Sequence, residues 1–190
     1  MRIPVLALCG ATLACHPGGS SSSGGEPAPS ASVVTLGVAI GSCPDVAACE
    51  RECDAGSADR CRRLAATYAF GQKGVDQDET RATALYEHAC DMKDAPACLF
   101  AGQMHEYARG VPKDDALAVR FYERACDIDH AAGCYNLAIM HEHGRGVPVD
   151  RAKAGDLYQV ACTAGAKQAC DRARDMHGPS PLLFLDAGLP

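Results

Sequence analysis

The chain has 190 residues and carries a net charge of −6, with twelve Cys and no Trp. One domain of this length can bury most of its apolar surface, but with so few aromatic residues the core must come from Ala, Leu, Val, Met and Cys. The acidic balance and the lack of any basic run exclude nucleic acid as a sequence-independent partner, and exclude polybasic attachment to anionic membranes.

The first predicted element is a leader over residues 1–15. "MRIPVLALCGATLAC" places one Arg and an apolar run before a small residue and Cys15, the pattern of a secretion signal, and it is too short to span a bilayer. Twelve cysteines fit the same reading, because disulfides persist in oxidising compartments. The Leu13-Ala14-Cys15 ending resembles a bacterial lipobox, which implies that Cys15 is lipidated and becomes the mature N-terminus. Thr12 departs from that pattern, where Leu is usual, and an ordinary signal cut nearby is the competing reading. Residues 16–42 include "HPGGSSSSGGEPAPSAS", whose Gly, Ser and Pro offer almost nothing to bury and predict a flexible spacer. Within them, "VVTLGVAI" at 33–40 fits either a short strand-like segment or an apolar strip lying on the folded part, and it is assigned to neither.

From residue 43 to 177 the chain repeats itself. Cys90, Cys126 and Cys162 are 36 residues apart, and so are Tyr86, Tyr122 and Tyr158, and Ala82, Ala118 and Ala154. The pairs Gly74-Val75, Gly110-Val111 and Gly146-Val147 keep the beat, as do Asp78, Asp114 and Asp150. After Asp114, Ala118, Phe121, Tyr122, Ala125 and Cys126 fall at helical spacing with charges on the other face. The three Asp residues stand at N-cap positions. Gly110 and Gly146 are placed to end the preceding helix in a left-handed conformation, with Pro112 and Pro148 in the loop. A second helix is predicted over roughly 95–108 and 131–143, and residues 46–53 align with the end of the first kind. One pair of helices cannot close its apolar face, whereas stacked pairs bury a continuous one. The predicted fold is therefore all-α, an α-solenoid of antiparallel helix pairs. Cys61 and Cys98 are 37 apart while Gly74 and Gly110 are 36 apart, so one extra residue falls between Cys61 and Gly74, in "FGQKG".

The Gly-Val loop, the following Asp, the Ala-x-x-x-Tyr helix and the period of 36 resemble Sel-one-like repeats, relatives of tetratricopeptide repeats. The cysteine columns resemble the secreted, cysteine-rich Hcp-type bacterial branch. The resemblance implies assembly or signalling roles with a protein partner. It also implies a weak β-lactamase or penicillin-binding activity, which that branch has been described to possess.

Four cysteine pairs share a gap of seven residues: Cys53 and Cys61, Cys90 and Cys98, Cys126 and Cys134, Cys162 and Cys170. The first of each pair ends one helix and the second begins the next. Gly56 and Gly165 suit a left-handed turn between them, Asp129 tolerates it, and Lys93 is disfavoured. Ser57 and Asp94 are reasonable N-caps, His130 and Ala166 weaker ones. An antiparallel pair can bring such positions within disulfide reach, and each closure should stabilise by about 2–3 kcal/mol. Structural zinc is the rival, but its Cys pairs usually stand two to four apart, so no metal is expected. With Cys9 removed and Cys15 lipidated, Cys43 and Cys49 remain, for a fifth bridge or for a buried free thiol at Cys49.

His105, His141 and His177 form another column, each preceded by Met. Equivalent residues in stacked units lie about 8–10 Å apart, too far to share a zinc ion. Tyr68 takes the same place in the first unit, so packing of a flat ring with a polar tip is the favoured reading. No catalytic residue is assigned: the repeat region holds only Ser57, and Ser-x-x-Lys and Gly-x-Ser-x-Gly are absent. No cofactor is expected. The expected function is that of a secreted, lipid-anchored, monomeric scaffold that takes a protein or peptide on its concave face, with the β-lactamase-like hydrolase as the alternative. Its expected place is the bacterial cell envelope, periplasmic or anchored at the outer membrane. The tail 178–190, "GPSPLLFLDAGLP", either folds back over the last helix or remains a partner-binding or unstructured end.

Overall fold

The computed structural model describes residues 43–72 and 74–177. The leader with Cys15, the spacer with residues 33–40, the tail 178–190 and the side chain of His177 lie outside this range. Among the described residues there are eight helices: α1 (Val46–Asp54), α2 (Ala58–Phe70), α3 (Glu79–Asp91), α4 (Ala95–Glu106), α5 (Asp115–Asp127), α6 (Ala131–His143), α7 (Arg151–Thr163) and α8 (Lys167–His177). No strand occurs among them, and each helix packs chiefly on its neighbours in the chain, as in a solenoid.

Local chemistry sets the helix starts. Asp78, Asp114 and Asp150 are extended, and each side chain accepts from the N–H three residues on, at 2.9, 2.8 and 2.9 Å. Asp94 caps α4 in the same way, and Asp45 caps α1 by accepting from the N–H groups of Ala47 and Ala48. A cap of this kind is worth about 1 kcal/mol. The N–H groups of Asp78, Asp114 and Asp150 are also used, donating to the carbonyls of Tyr68, His105 and His141. The ring column and the cap column are thus tied together in every unit. Ser57 and His130 stand at the N-caps of α2 and α6 but make no side-chain cap bond, and for Ser57 this corrects the expectation.

The short turns between α1 and α2, α3 and α4, α5 and α6, and α7 and α8 share one geometry. Gly56, Lys93, Asp129 and Gly165 have φ of +92, +65, +58 and +101°. The next residue in each case donates back to the carbonyl five residues earlier, as from Asp94 to Ala89 and from Ala166 to Ala161. This arrangement satisfies helix-end carbonyls that would otherwise be orphaned. Lys93 adopts the left-handed conformation despite its Cβ.

The longer loops correct one expectation. α4 and α6 end at Glu106 and His143, followed by the left-handed Ala108 and Gly144, not by Gly110 and Gly146. Gly110 and Gly146 are left-handed for a different reason, because each lays the loop on the start of an earlier helix. A Cβ at Gly110 would stand 2.2 Å from the Glu79 carbonyl carbon, and one at Gly146 would stand 2.3 Å from the Asp115 oxygen. Thr80 Oγ1 fixes that contact by donating to the Gly110 carbonyl at 2.9 Å. Gly71, left-handed like Ala108, lies 37 residues before it, which places the extra residue of the first unit between Gly71 and Gly74.

The core is built from small residues around Tyr. Tyr86, Tyr122 and Tyr158 are buried, as are Ala82, Ala118 and Ala154 one turn earlier. Their rings need room on the facing helix: a Cβ at Gly102 would fall 2.5 Å from Tyr122 Cε1. Burying large rings against Ala and Gly brings the helices close without Trp or many Leu.

Candidate functional site

Among the described residues, five disulfides hold the helix pairs. Cys53–Cys61, Cys90–Cys98, Cys126–Cys134 and Cys162–Cys170 cross the four short turns with Cα separations of 4.7, 4.5, 4.5 and 4.8 Å. Cys43–Cys49 closes the loop before α1 at 6.1 Å, and the Cys43 N–H donates to Thr67 Oγ1 on α2. Every described cysteine is therefore bonded, and none is a thiolate for catalysis or metal binding. Among the described residues, one His/Cys grouping has ligand-like spacing, namely Cys53, Cys61 and His88. Its sulfurs are joined to each other.

The ring column belongs to the interior. His105 is buried, stacks on Phe121 with centroids 5.6 Å apart, and hydrogen-bonds through Nε2 to Glu87 Oε1 at 2.6 Å. Tyr68 likewise donates to Glu50 at 3.0 Å, and that carboxylate also accepts from Arg81, whose guanidinium lies over the Tyr68 ring. Each acid precedes its ring by eighteen residues, and Glu123 stands in the same relation to His141. His141 is buried with both ring nitrogens unpartnered. Burial first and then the nearby Lys153 push its pKa down, against smaller upward pulls from Asp150 and Glu123. These contacts fit the packing reading of the column.

A second set of polar residues was not singled out in the sequence. Glu106 is almost wholly buried, accepting from Tyr122 at 2.5 Å and from Arg145 at 2.5 Å. One unit later, Glu142 accepts from Tyr158 at 2.6 Å and, with both carboxylate oxygens, from Arg172 Nη2. Burial alone would raise the Glu142 carboxyl, but the bonds from Tyr158 and Arg172 hold it below the usual range. The Tyr122 phenol is pushed up by burial and by Glu106, so it stays a neutral donor. The signal was present in the repeated "MHE", which sets Glu106 and Glu142 36 residues apart behind His. Their cations could not have been paired by period, since Arg145 comes from a loop and Arg172 from α8.

The accessible features lie elsewhere. Phe70 and Tyr107 occupy equivalent places at the ends of α2 and α4 and are 50 and 43% exposed. The Arg109 guanidinium stands 5.8 Å from the Phe70 ring centre and is itself held by Glu79. Burial and the neighbouring Glu106 raise the Tyr107 phenol to about 12. On α6, Tyr135, Asn136 and Ile139 are half-buried and His143 is exposed. Two shallow depressions lie beside the short turns, one at Lys93, Arg124 and Ile128, the other at His130, Ala132 and Gly165. Neither gathers a nucleophile, a base and an orienting group.

Comparison with known proteins agrees with this geometry. Residues 61–94, 95–130 and 131–165 match the Sel1 repeat. A Sel1 repeat protein from Oxalobacter formigenes superimposes with a TM-score of 0.63 at 29% identity, over 69% of this chain and 98% of that one. The protein c5321, a protective antigen present in uropathogenic Escherichia coli strains and displaying an SLR fold, gives 0.61 at 26% identity. That match covers 64% of this chain and 26% of c5321, about a quarter of the longer protein. Helicobacter pylori cysteine rich protein B gives 0.49 at 21% identity, over 61 and 97% of the two chains. No curated protein matches the sequence. Laid over the helices, the matched units pair α2 with α3, α4 with α5, and α6 with α7. Cys90–Cys98 and Cys126–Cys134 therefore link one unit to the next and close no unit on itself. Built from three such units in a stapled row, the chain belongs to the Sel1 repeat family.

Proposed function

We propose that the protein is a monomeric scaffold at the bacterial cell envelope that holds a protein or peptide along the face carried by α2, α4 and α6. The observation that carries this reading is the pair of exposed rings, Phe70 and Tyr107, presented at the same place in consecutive units. Aromatic side chains fixed on rigid elements are common anchors in protein interfaces, and Sel1 repeats generally mediate contacts between proteins. Five disulfides among the described residues belong to an oxidising, extracytoplasmic setting. No helix among the described residues is long and apolar enough to cross a membrane. The leader, lipidation at Cys15 and a tether over residues 16–42 complete the proposal, so that the repeats at 43–177 stand off from a membrane.

A photo-crosslinking residue at position 107, compared with one at the exposed Ala84 of α3, tests the binding face. A partner is expected to be captured in the envelope from position 107 and not from position 84. Equal capture at both sites, or none, would count against the assigned face. Turnover of a chromogenic cephalosporin by the purified protein, lost on a single substitution, would replace the scaffold reading with the hydrolase one.

A further inference from the structure

α8 is attached differently from the helices inside the row. α4 buries Leu99, Phe100 and Met104, whereas the buried side chains of α8 and the residue before it are Ala166, Ala169 and Ala173. These share a cluster with Tyr158, Ala154 and Ala161 of α7 and with Cys134 and Ala138 of α6, and the half-buried Met176 of α8 packs against it. The outward side of α8 is polar, with Lys167, Asp171, Arg174 and Asp175 exposed. Two further links hold it. One is the Glu142 carboxylate, which takes Arg172 of α8 and Tyr158 of α7 together. The other is Cys162–Cys170.

That staple is also the most accessible of the five. Cys43, Cys49, Cys53, Cys61, Cys90 and Cys98 are 0–3% exposed. Cys126 is half-buried but bonded to the wholly buried Cys134. Only in Cys162–Cys170, among the described disulfides, are both members half-buried. A reductant must bring its thiolate onto one of the two sulfurs, so access controls the rate once the attacking thiol is fixed.

From these two facts we infer that α8 is a thiol-releasable cap: Cys162–Cys170 gives way first to a small thiol, and α8 then leaves the Tyr158 face of α7. In the first step a thiolate attacks one cysteine sulfur, the S–S bond breaks, and the other cysteine leaves as a thiolate that takes a proton from water. A second thiol resolves the mixed disulfide, so two thiols are oxidised to one disulfide for each staple opened. With the covalent link gone, three alanines, the half-buried Met176 and the Arg172–Glu142 pair remain to hold a polar helix. Local opening of this kind starts where buried apolar contact is sparse; α1 buries only Cys49 and Cys53, but both of its disulfides are enclosed. Release uncovers Tyr158, Ala154 and Ala161, the surface on which α8 had rested.

The test is graded reduction of the mature full-length protein with glutathione, quenched by alkylation and read by peptide mass spectrometry. Hydrogen exchange is followed in the same samples. Cys162 and Cys170 are expected to be alkylated at least about tenfold faster than any other pair, with protection lost over 167–177 and kept over 79–143. Simultaneous loss of two or more disulfides overturns the inference. So does early opening of Cys162–Cys170 with α8 still protected. The double variant Cys162→Ala, Cys170→Ala is a second check, expected to lose protection in α8 alone without reductant; full protection there would equally refute the cap.

Discussion

His141 is a buried ring that gains nothing from being histidine. Its two nitrogens have no partner, and Tyr68 fills the same column in the first unit, so the site asks for a flat aromatic body. Burial and Lys153 depress its pKa, opposed by Asp150 and Glu123. Above the unfolded value of about 6.5 the ring is neutral in both states and costs no proton. Below it, the unfolded chain binds a proton that the folded ring resists, so stability falls with pH until the folded ring is also protonated. His141→Phe should therefore melt at the same or a higher temperature at pH 8. It should also lose less of its melting temperature than the wild type between pH 7 and pH 5. Thermal melts of both proteins across that range decide the point; parallel curves would mean that the ring is paired in solution. His130, whose pKa is likewise lowered by burial, adds to the wild-type slope and should persist in the variant.

Between elements, the contact that sequence reading misplaced is that of Gly110. Its left-handed φ of +70° is shared by Gly74 at +76°, but a Cβ at Gly74 would meet nothing within 4 Å, whereas one at Gly110 would enter the start of α3. Gly74→Ala should cost only the left-handed backbone penalty of roughly 1–2 kcal/mol. Gly110→Ala adds a backbone clash that no side-chain rotation relieves, and should cost about 2 kcal/mol more. Urea denaturation of the two variants measures the difference, and equal losses would show that the loop can lift off α3. The Asp caps, the left-handed turn residues and the cysteine spacing were legible because each acts within about ten residues of chain. The role of Gly110 was not, because the atoms it must avoid lie some thirty residues away. Glu106 shows the same limit: its column is periodic, but a buried carboxylate is settled by whichever cation can reach it. An inner loop supplies Arg145 for Glu106, while α8 supplies Arg172 for Glu142.

At the scale of the molecule, contacts among the described helices run almost entirely between sequence neighbours, so stability is close to a sum of unit and junction terms. Such a row frays from its ends unless the junctions are strong. Here the junctions combine close packing, Tyr86 on Phe100 and Ala125 against Gly133, with a covalent link, since Cys90–Cys98 and Cys126–Cys134 each tie one family unit to the next. Each short closure contributes about 2–3 kcal/mol, against a net stability of about 5–15 kcal/mol for an ordinary domain. The staples thus decide whether the units melt as one body. The oxidised protein should lose its far-UV helical signal in a single sharp transition. After complete reduction and alkylation the same signal should be weaker at 25 °C and decline without a cooperative step, as loosened units open one by one. A reduced protein that still melts sharply within about 5 °C of the oxidised one would show that the tyrosine and alanine columns bind the row without sulfur.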